Sequence, residues 1–268
     1  MPENSFVDDK KYNIGLALGG GGARGFAHLG VLKAMEELGI KPDIISGVSA
    51  GSIVAALYAA GFPVDVIFKA FTSLSLTDLT ELSVPRCGFF SLNKLRTFLR
   101  RILPVENIED LHIPTRIIAT NIDKSEPVVF DHGPISERVI ASCSIPVIFK
   151  PAKIDGVNYV DGGLLHNLPT TFLRDDCRVL IGVNVSPICT DKVKQSLIGV
   201  AQRTFEMMAR TNAVPDSKLC DVLVEPSLLA DINVFNLKNG TKILRIGYDS
   251  AMEVFKNSET IKKIIHND

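Results

Sequence analysis

The stretch GGGGARGFAHLGVLKAMEELG, Gly19 to Gly39, places four consecutive glycines between an apolar run and a helical pattern. Apolar residues recur at helical spacing over Ala27–Leu38, which predicts a helix that Gly39 is well placed to end. Glycine destabilises the interior of regular structure, so a run of glycines indicates a loop whose backbone must come close to something. The chemistry that needs such a bare backbone is the first question that this sequence raises.

Short apolar runs alternate with helical patterns on both sides of this stretch. Buried strands are predicted at Ile14–Leu18, Asp43–Val48, Thr115–Thr120, Pro127–Phe130, Arg178–Val185 and Asp221–Glu225, with a hairpin over Lys153–Val160 that turns at Asp155-Gly156. This alternation predicts an α/β fold of three layers, α/β/α, with a mostly parallel central sheet. No linker divides the chain, so residues 1–268 are expected to form one domain, with about ten N-terminal residues disordered.

Composition excludes several classes of function. The chain has 268 residues, 46% of them hydrophobic, and a net charge of −1, so no positive field attracts nucleic acid. Its five cysteines are scattered without a CxxC pair, which argues against a disulfide framework or a zinc ribbon and favours a cytoplasmic protein. Neither a secretory signal nor an apolar run of membrane-spanning length occurs, so only peripheral contact with a membrane is expected.

For two segments the sequence allows more than one contact. Phe89-Phe90, beside a basic helix in Phe71–Leu103, could touch a lipid surface, although a solvated helix face over an ordinary core contact is favoured. The helical stretch Ser196–Val214 has apolar positions at Leu197, Val200, Phe205 and Met208. Packing against the core is favoured for these positions, and a contact in a homodimer is the alternative.

The glycine run satisfies a dinucleotide-binding pattern, GxGxxG, at Gly20, Gly22 and Gly25. That pattern also calls for an acidic residue about 20 positions later, at the end of the second strand. Gly47 lies where the acid would be useful, and no Walker GK[ST] tripeptide occurs. A nucleotide-binding oxidoreductase is therefore a disfavoured alternative.

A second motif, GVSAG at Gly47–Gly51, lies at a predicted strand-to-helix junction. GxSxG in this context predicts that Ser49 occupies a sharp turn with its hydroxyl exposed, as a nucleophile requires. Attack of a serine on an ester builds negative charge on the carbonyl oxygen, which backbone N–H groups can stabilise. Gly21 and Gly22 are the candidates for this oxyanion hole, and Arg24 would orient the loop, meet a substrate phosphate or form a structural ion pair.

The serine also needs a base. His166 follows Ser49 and lies near Asp161, but the two side chains are expected to diverge along one loop. Asp161 is the better candidate, because it ends a predicted strand and the following Gly162-Gly163 allow Ser49 to approach. A turn aspartate that caps the next segment is the structural alternative.

Taken together, GGGARG at Gly20–Gly25, GVSAG at Gly47–Gly51 and DGG at Asp161–Gly163 resemble the patatin-like phospholipase family, in its compact bacterial form. The resemblance implies a patatin-like fold and a Ser49–Asp161 dyad without histidine, with Gly21 and Gly22 as the oxyanion hole. Arg24 and the glycines Gly20, Gly25, Gly47, Gly51, Gly162 and Gly163 match the supporting positions of these motifs.

The activity that this resemblance implies is hydrolysis of acyl esters in phospholipids, lysophospholipids or related lipids. It implies no metal and no cofactor. A lipid-binding regulatory protein with weak or no turnover is the alternative, because a sequence does not report turnover.

Overall fold

A computed structural model describes residues 10–83, 87–187 and 195–266 of the chain. The disorder predicted for the N-terminus concerns mainly residues 1–9, which lie outside the described residues. The organisation of residues 1–268 as one domain stays a prediction.

The described residues form strands and helices close to the predicted positions. The strands are β1 (Tyr12–Leu18), β2 (Ile44–Val48), β3 (Glu81–Leu82), β4 (Gly88–Ser91), β5 (Thr115–Asn121), β6 (Glu126–Phe130), β7 (Val147–Phe149), β8 (Ala152–Ile154), β9 (Val157–Asp161), β10 (Cys177–Val183) and β11 (Val222–Val224). The helices are α1 (Phe26–Glu37), α2 (Ala50–Ala59), α3 (Val64–Thr72), α4 (Leu76–Leu79), α5 (Asn93–Ile102), α6 (Ile135–Cys143), α7 (Leu197–Ser217), α8 (Gly240–Asn257) and α9 (Glu259–His266).

The main sheet has the strand order β11-β10-β1-β2-β5-β9-β8, and β6 also pairs with β5. Strands β11 to β5 in this order are parallel, whereas β6, β8 and β9 pair antiparallel with their neighbours. The predicted mostly parallel sheet is confirmed. The predicted hairpin joins β8 to β9, and both turn residues, Asp155 and Gly156, have positive φ.

Two cores lie on opposite faces of this sheet. Leu16 and Leu18 of β1 belong to the larger core, which also contains buried residues of α1 and α8, whereas Ala17 belongs to a second core. Successive side chains of a strand point to opposite faces, so the two cores are separated by the sheet. Ala213 of α7 and Leu173 contribute to the second core. The three-layer α/β/α fold is confirmed.

Strands β2 and β9 share one edge of β5 and run toward each other along it. The other edge of β5 is occupied by β6. On the shared edge Val48, the last residue of β2, pairs with Ile118, and Asp161, the last residue of β9, pairs with the next residue, Ala119. The C-terminal ends of two strands that are distant in sequence therefore meet head to head, beside Ser49.

The expectation of core packing for α7 is wrong at most of the apolar positions. Leu197 is 66% exposed, Val200 52% and Met208 36%. The fourth, Phe205, is half-buried. The exposed positions lie on what we call the outer face of α7, a continuous stripe at helical spacing without a charged residue: Leu197, Val200, Thr204, Met207, Met208, Thr211 and Val214.

The expectation for the basic helix is confirmed. Helix α5 buries Leu95 and Leu99, while the side chains of Arg100 and Arg101 are exposed. Phe89-Phe90 is half-buried in β4, next to this helix in the chain.

Candidate active site

Ser49 occupies the turn between β2 and α2 in an unusual backbone conformation. Its φ is 53° and its ψ is −125°, and positive φ is unfavourable for a residue with a Cβ. Its backbone N–H donates to the Ser142 Oγ at 2.8 Å, which in turn donates to the Ile118 carbonyl oxygen at 2.6 Å. The strained turn is therefore fastened to the neighbouring strand β5.

Asp161 lies within hydrogen-bond distance of this serine. The Ser49 Oγ donates to the Asp161 Oδ2 at 2.6 Å, and the Gly163 N–H donates to the Asp161 Oδ1 at 2.8 Å. The Asp161 side chain is fully buried, and burial raises its pKa to about 7, although both hydrogen bonds act to lower it. A carboxylate with a pKa near neutrality can accept a proton from a bound hydroxyl.

The glycine loop runs past Ser49 between β1 and α1. The Gly20 N–H donates to the Asn167 carbonyl oxygen at 3.0 Å, and the Ala23 N–H donates to the Val234 carbonyl oxygen at 2.7 Å. Between them, the N–H groups of Gly21 and Gly22 have no acceptor among the described residues. Gly21 and Gly22 line the same cleft as Ser49.

Gly22 is a position where only glycine fits. Its φ is +56°, and a Cβ there would collide with the Val234 carbonyl oxygen. Glycine is required at position 51 for a different reason. A Cβ there would collide with the Leu18 carbonyl oxygen, where α2 crosses the end of β1. A Cβ added at any other glycine of the three motifs would also lie closer to a neighbouring atom than Cβ atoms normally do: Gly20, Gly25, Gly47, Gly162 and Gly163.

Arg24 is buried, and its guanidinium fastens a distant loop. The Arg24 Nε donates to the Ile232 carbonyl oxygen at 2.8 Å, and one of its Nη atoms donates to the Ala230 carbonyl oxygen at 3.2 Å. These contacts hold residues 230–232 against the start of α1, whereas the loop that Arg24 is predicted to orient is the glycine loop, so that role stays a prediction. The same side chain lines a cleft that reaches Ser49.

Sequence reasoning missed two residues of the site, Asn167 and Ser142. The Asn167 Nδ2 donates to the Gly20 carbonyl oxygen at 3.3 Å, so Asn167 binds the glycine loop through both its backbone and its side chain. Ser142 supports the backbone of Ser49. Both lie in the stretch that precedes and follows Asp161, but asparagine and serine are common in turns and carry no signal of their own there.

The histidines near the site have other partners. The His166 Nδ1 lies 3.0 Å from the Asp216 Oδ2, and its ring packs edge-on against Phe172. The carboxylate that pairs with His166 is therefore Asp216 and not Asp161. His28 is fully buried, its Nε2 lies 2.8 Å from the Gly19 carbonyl oxygen, and burial lowers its pKa to about 4, so it is neutral beneath the glycine loop.

Two cavities meet at Ser49. One is the apolar cavity, in which only Ser49, Thr80 and Cys143 contribute a polar side-chain atom among the described lining residues, and whose wall includes Phe26, Ile67, Phe71 and Leu95. The other is a cleft whose lining surface is mostly apolar but which we call the polar cleft, because it also has the polar side chains of Arg24, Asn167, Ser186, Gln202, Arg203, Glu206 and Arg210. Ser49 and Gly22 line both. Charged side chains therefore line only one of the two cavities at Ser49, the polar cleft.

Comparison with known proteins identifies the family to which this chain belongs. Residues 16–174, more than half of the chain, match the family model for patatin-like phospholipase. The chain belongs to the patatin-like phospholipase family. The matched range contains the glycine loop, the turn at Ser49 and Asp161.

Relatives of this patatin-like chain are identical to it at about a third of the aligned positions. An uncharacterized NTE family protein of Mycobacterium bovis is 35% identical over 158 residues, 58% of this chain and 44% of that protein. The lysophospholipase NTE1 of Saccharomyces cerevisiae is 35% identical over 179 residues, 64% of this chain and 11% of that protein. The chain thus spans less than half the length of these curated relatives.

The patatin-like fold is also seen in a solved structure. The crystal structure of VipD from Legionella pneumophila matches with a TM-score of 0.60 at 16% identity, covering 92% of this chain and 67% of VipD. At this identity the likeness concerns the fold alone, and it agrees with the patatin-like three-layer architecture.

The described residues contain neither a cluster suited to a metal ion nor a helix suited to a membrane. In residues 10–83, 87–187 and 195–266, no group of three His, Cys, Asp or Glu side chains is arranged to hold a metal ion. None of the helices in these ranges combines the length and the apolar character that crossing a bilayer requires.

Proposed function

We propose that this chain is a serine acyl-ester hydrolase that acts on phospholipids, lysophospholipids or related acyl lipids. The observation that carries the proposal is the 2.6 Å hydrogen bond from the Ser49 Oγ to a buried Asp161 with a pKa near neutrality. The name of a relative, lysophospholipase NTE1, supports a lipid ester as the substrate. The apolar cavity beside Ser49 supports an acyl chain as part of that substrate.

The first step forms an acyl-enzyme. The Ser49 Oγ attacks the ester carbonyl carbon while the Asp161 Oδ2 takes the hydroxyl proton. The N–H groups of Gly21 and Gly22 stabilise the negative charge on the carbonyl oxygen. As the bond to the alcohol breaks, protonated Asp161 returns the proton to the leaving oxygen, and the acyl group stays on Ser49.

The second step releases the fatty acid. Asp161 takes a proton from a water molecule whose oxygen attacks the acyl carbon, and the same two N–H groups stabilise the developing charge. When the bond to the Ser49 Oγ breaks, Asp161 gives the proton back to Ser49. The net reaction consumes one water and one ester, and it yields one alcohol and one fatty acid, without a metal or a cofactor.

Fluorophosphonate labelling of the purified protein tests the proposal without a choice of lipid. An activated serine reacts with this reagent, and peptide mass spectrometry should place the adduct on Ser49. We expect Ser49→Ala to abolish the label and Asp161→Asn to slow it strongly. Ser73→Ala, at an exposed serine outside both cavities, is the matched control and should label like wild type. An adduct elsewhere, or the absence of any adduct in folded protein, contradicts the proposal.

A lipid-binding regulator with weak or no turnover is the second candidate. The apolar cavity favours it, because a deep apolar site binds an acyl chain whether or not Ser49 reacts. Tight binding of a fatty acid by folded protein that neither labels nor hydrolyses esters would support this candidate instead.

We also infer that the outer face of α7 contacts a lipid surface. Met207 is 62% exposed on this face and also lines the polar cleft, so the face borders an opening to Ser49. An exposed apolar stripe on a helix is suited to the boundary between lipid head groups and acyl chains. A homodimer through the same face and a cytoplasmic location stay predictions.

A further inference from the structure

The two N–H groups proposed for the oxyanion hole belong to peptide units whose carbonyl oxygens are hydrogen-bonded. In a trans peptide unit the C=O of one residue and the N–H of the next lie in one plane and point in opposite directions. The Gly21 N–H therefore shares its unit with the Gly20 carbonyl, and the Gly22 N–H shares its unit with the Gly21 carbonyl. A partner that fixes either carbonyl also fixes the direction of the N–H in the same unit.

The Gly20 carbonyl oxygen is bound by two side chains that are remote in sequence. The Ser186 Oγ donates to it at 2.7 Å, and the Asn167 Nδ2 donates to it at 3.3 Å. A carbonyl oxygen has two lone pairs, so these two donors satisfy it. Hydrogen bonds to a carbonyl also polarise its peptide unit, which makes the N–H of that unit a stronger donor. The two side chains therefore act on the Gly21 N–H without touching it.

The Gly21 carbonyl oxygen is held in a different way. It accepts a hydrogen bond from the Arg24 N–H at 3.1 Å, within the same turn of the glycine loop. This local turn therefore orients the Gly22 N–H. The orientation of the Gly21 N–H depends instead on Ser186 and Asn167, which lie in the segments that follow β10 and β9.

Both side chains that bind the Gly20 carbonyl are themselves held in place. The Ser186 N–H donates to the Asn184 Oδ1 at 3.1 Å, and the Ser186 carbonyl oxygen accepts from the Arg210 Nη1 at 3.3 Å. Asn167 is buried, and its backbone carbonyl oxygen accepts from the Gly20 N–H at 3.0 Å. The contacts that fix these two donors do not involve a substrate, so the arrangement exists before a substrate binds.

We propose that Ser186 and Asn167 are positioning residues that hold the Gly20 carbonyl and so orient the Gly21 N–H toward the developing oxyanion. This inference rests on the proposed hydrolase function. Neither side chain reacts, because each acts through the peptide unit between Gly20 and Gly21. Their effect should appear when the ester carbonyl oxygen becomes negatively charged, since preorganised donors stabilise the charge that develops in the transition state.

Steady-state hydrolysis of p-nitrophenyl butyrate tests this role through kcat and KM. Ser186→Ala removes one donor and should lower kcat by about three- to tenfold, the effect of one neutral hydrogen bond, with KM nearly unchanged. Ser186→Thr keeps a hydroxyl and should restore kcat. Adding Asn167→Ala to Ser186→Ala should bring the loss toward about 10²-fold, as for removal of an oxyanion donor. Ser217→Ala is the matched control, because the Ser217 Oγ donates at 2.8 Å to the Ala213 carbonyl oxygen outside both cavities, and kcat should not change.

A reversible inhibitor shows whether the loss concerns the oxyanion. The Ser49 Oγ adds to the carbonyl carbon of an alkyl trifluoromethyl ketone while Asp161 takes the hydroxyl proton, and the ketone oxygen becomes an oxyanion. Its Ki should rise in Ser186→Ala by the factor by which kcat/KM falls. The corresponding alcohol cannot form this adduct and should keep its Ki. A general loosening of the site would raise both Ki values and would overturn the inference, as would an unchanged kcat in Ser186→Ala.

A measurement without turnover separates this inference from the hydrolase proposal. In protein with isotope-labelled glycine, Ser186→Ala should shift the amide resonance of Gly21, whereas that of Gly22, whose peptide unit is held by Arg24, should stay in place. If wild type neither hydrolyses the ester nor reacts with fluorophosphonate, the hydrolase proposal fails, and a shifted Gly21 resonance still supports the orienting role of Ser186. An unmoved Gly21 resonance in Ser186→Ala overturns that role whatever the turnover.

Discussion

The Ser49 hydroxyl donates a 2.6 Å hydrogen bond to the Asp161 carboxylate, although 112 positions of sequence separate the two residues. Strands β2 and β9 bring them together, because both strands pair with one edge of β5 and end there at adjacent positions. The remaining predictions follow from this pair and from its surroundings.

Asp161→Asn should lower kcat by about 10²- to 10⁴-fold, since asparagine cannot accept the serine proton. The comparison is His166→Ala, which removes the other base that the sequence offered. His166 is paired with Asp216, so its loss should reduce kcat far less than that of Asp161. Steady-state hydrolysis of a soluble ester such as p-nitrophenyl butyrate measures both variants. A loss in His166→Ala as large as that in Asp161→Asn would show that the base is misassigned.

The rate should depend on pH through Asp161. Burial raises the pKa of this carboxyl to about 7, and only its ionised form can accept a proton. We therefore expect kcat/KM to rise with pH below about 7 and to level off above it. The neighbouring Cys143 thiol does not contribute, because burial raises its pKa and keeps it neutral in this range. A profile that is flat between pH 5 and pH 8 is the contrary outcome.

The stability of the fold should depend on the same carboxyl, but it should fall with rising pH whereas the rate rises. Its pKa is ~3.9 in an unfolded chain and about 7 in the folded protein, so between these values the folded state binds more protons. The contribution of Asp161 to the free energy of unfolding therefore falls as pH rises from about 4 to about 7. Asp161→Asn should melt several degrees above wild type at pH 8 and close to it at pH 4.

The melting temperature of Asp161→Asn has to be compared with that of wild type at each pH, because a second buried group also titrates. His28 is buried with a pKa of about 4, so its own contribution to stability increases as pH rises from about 4 to about 6.5. Both proteins contain His28, and its effect cancels in the difference of their melting temperatures. A difference that does not change with pH would contradict the raised pKa of Asp161.

The backbone at Ser49 should store strain that glycine relieves. Its φ of 53° costs a residue with a Cβ on the order of 1–3 kcal/mol, and glycine adopts such values freely. Ser49→Gly and Ser49→Ala both remove the hydroxyl, so their difference isolates the Cβ. Urea unfolding should show Ser49→Gly as the more stable of the two, in spite of the larger entropy of glycine in the unfolded chain. Equal stability would mean that the turn is not strained.

The outer face of α7 should decide binding to vesicles. Replacing Leu197, Val200 and Met207 together by serine removes exposed apolar surface without touching the core, so folding should be preserved. Sedimentation with phosphatidylcholine vesicles, in a Ser49→Ala background, should show weaker binding. Leu228→Ser, at a 70% exposed leucine outside both cavities, is the matched control. If the triple variant instead changes a dimer to a monomer without vesicles present, the face is a contact between copies.

The sequence by itself determined the order of strands and helices and the two motifs around the site. Gly22 is required by its positive φ, and Gly51 by the close approach of the Leu18 carbonyl oxygen. The GxSxG pattern specifies a turn within a few residues. Such requirements can be recognised in the sequence. The sequence also singled out Asp161, but a carboxylate before two glycines is equally typical of a turn.

Only the tertiary structure decided what these residues meet. The approach of Asp161 to Ser49 depends on the register of β2 and β9 along β5, and strand register is a non-local property that no single segment encodes. The sequence does not predict the roles of Asn167 and Ser142 for the same reason. Asn167 contacts the glycine loop and Ser142 contacts the backbone of Ser49, and both partners are remote in sequence. The core packing predicted for α7 is wrong because helical spacing of apolar residues indicates an apolar face, whereas the rest of the fold decides what covers that face.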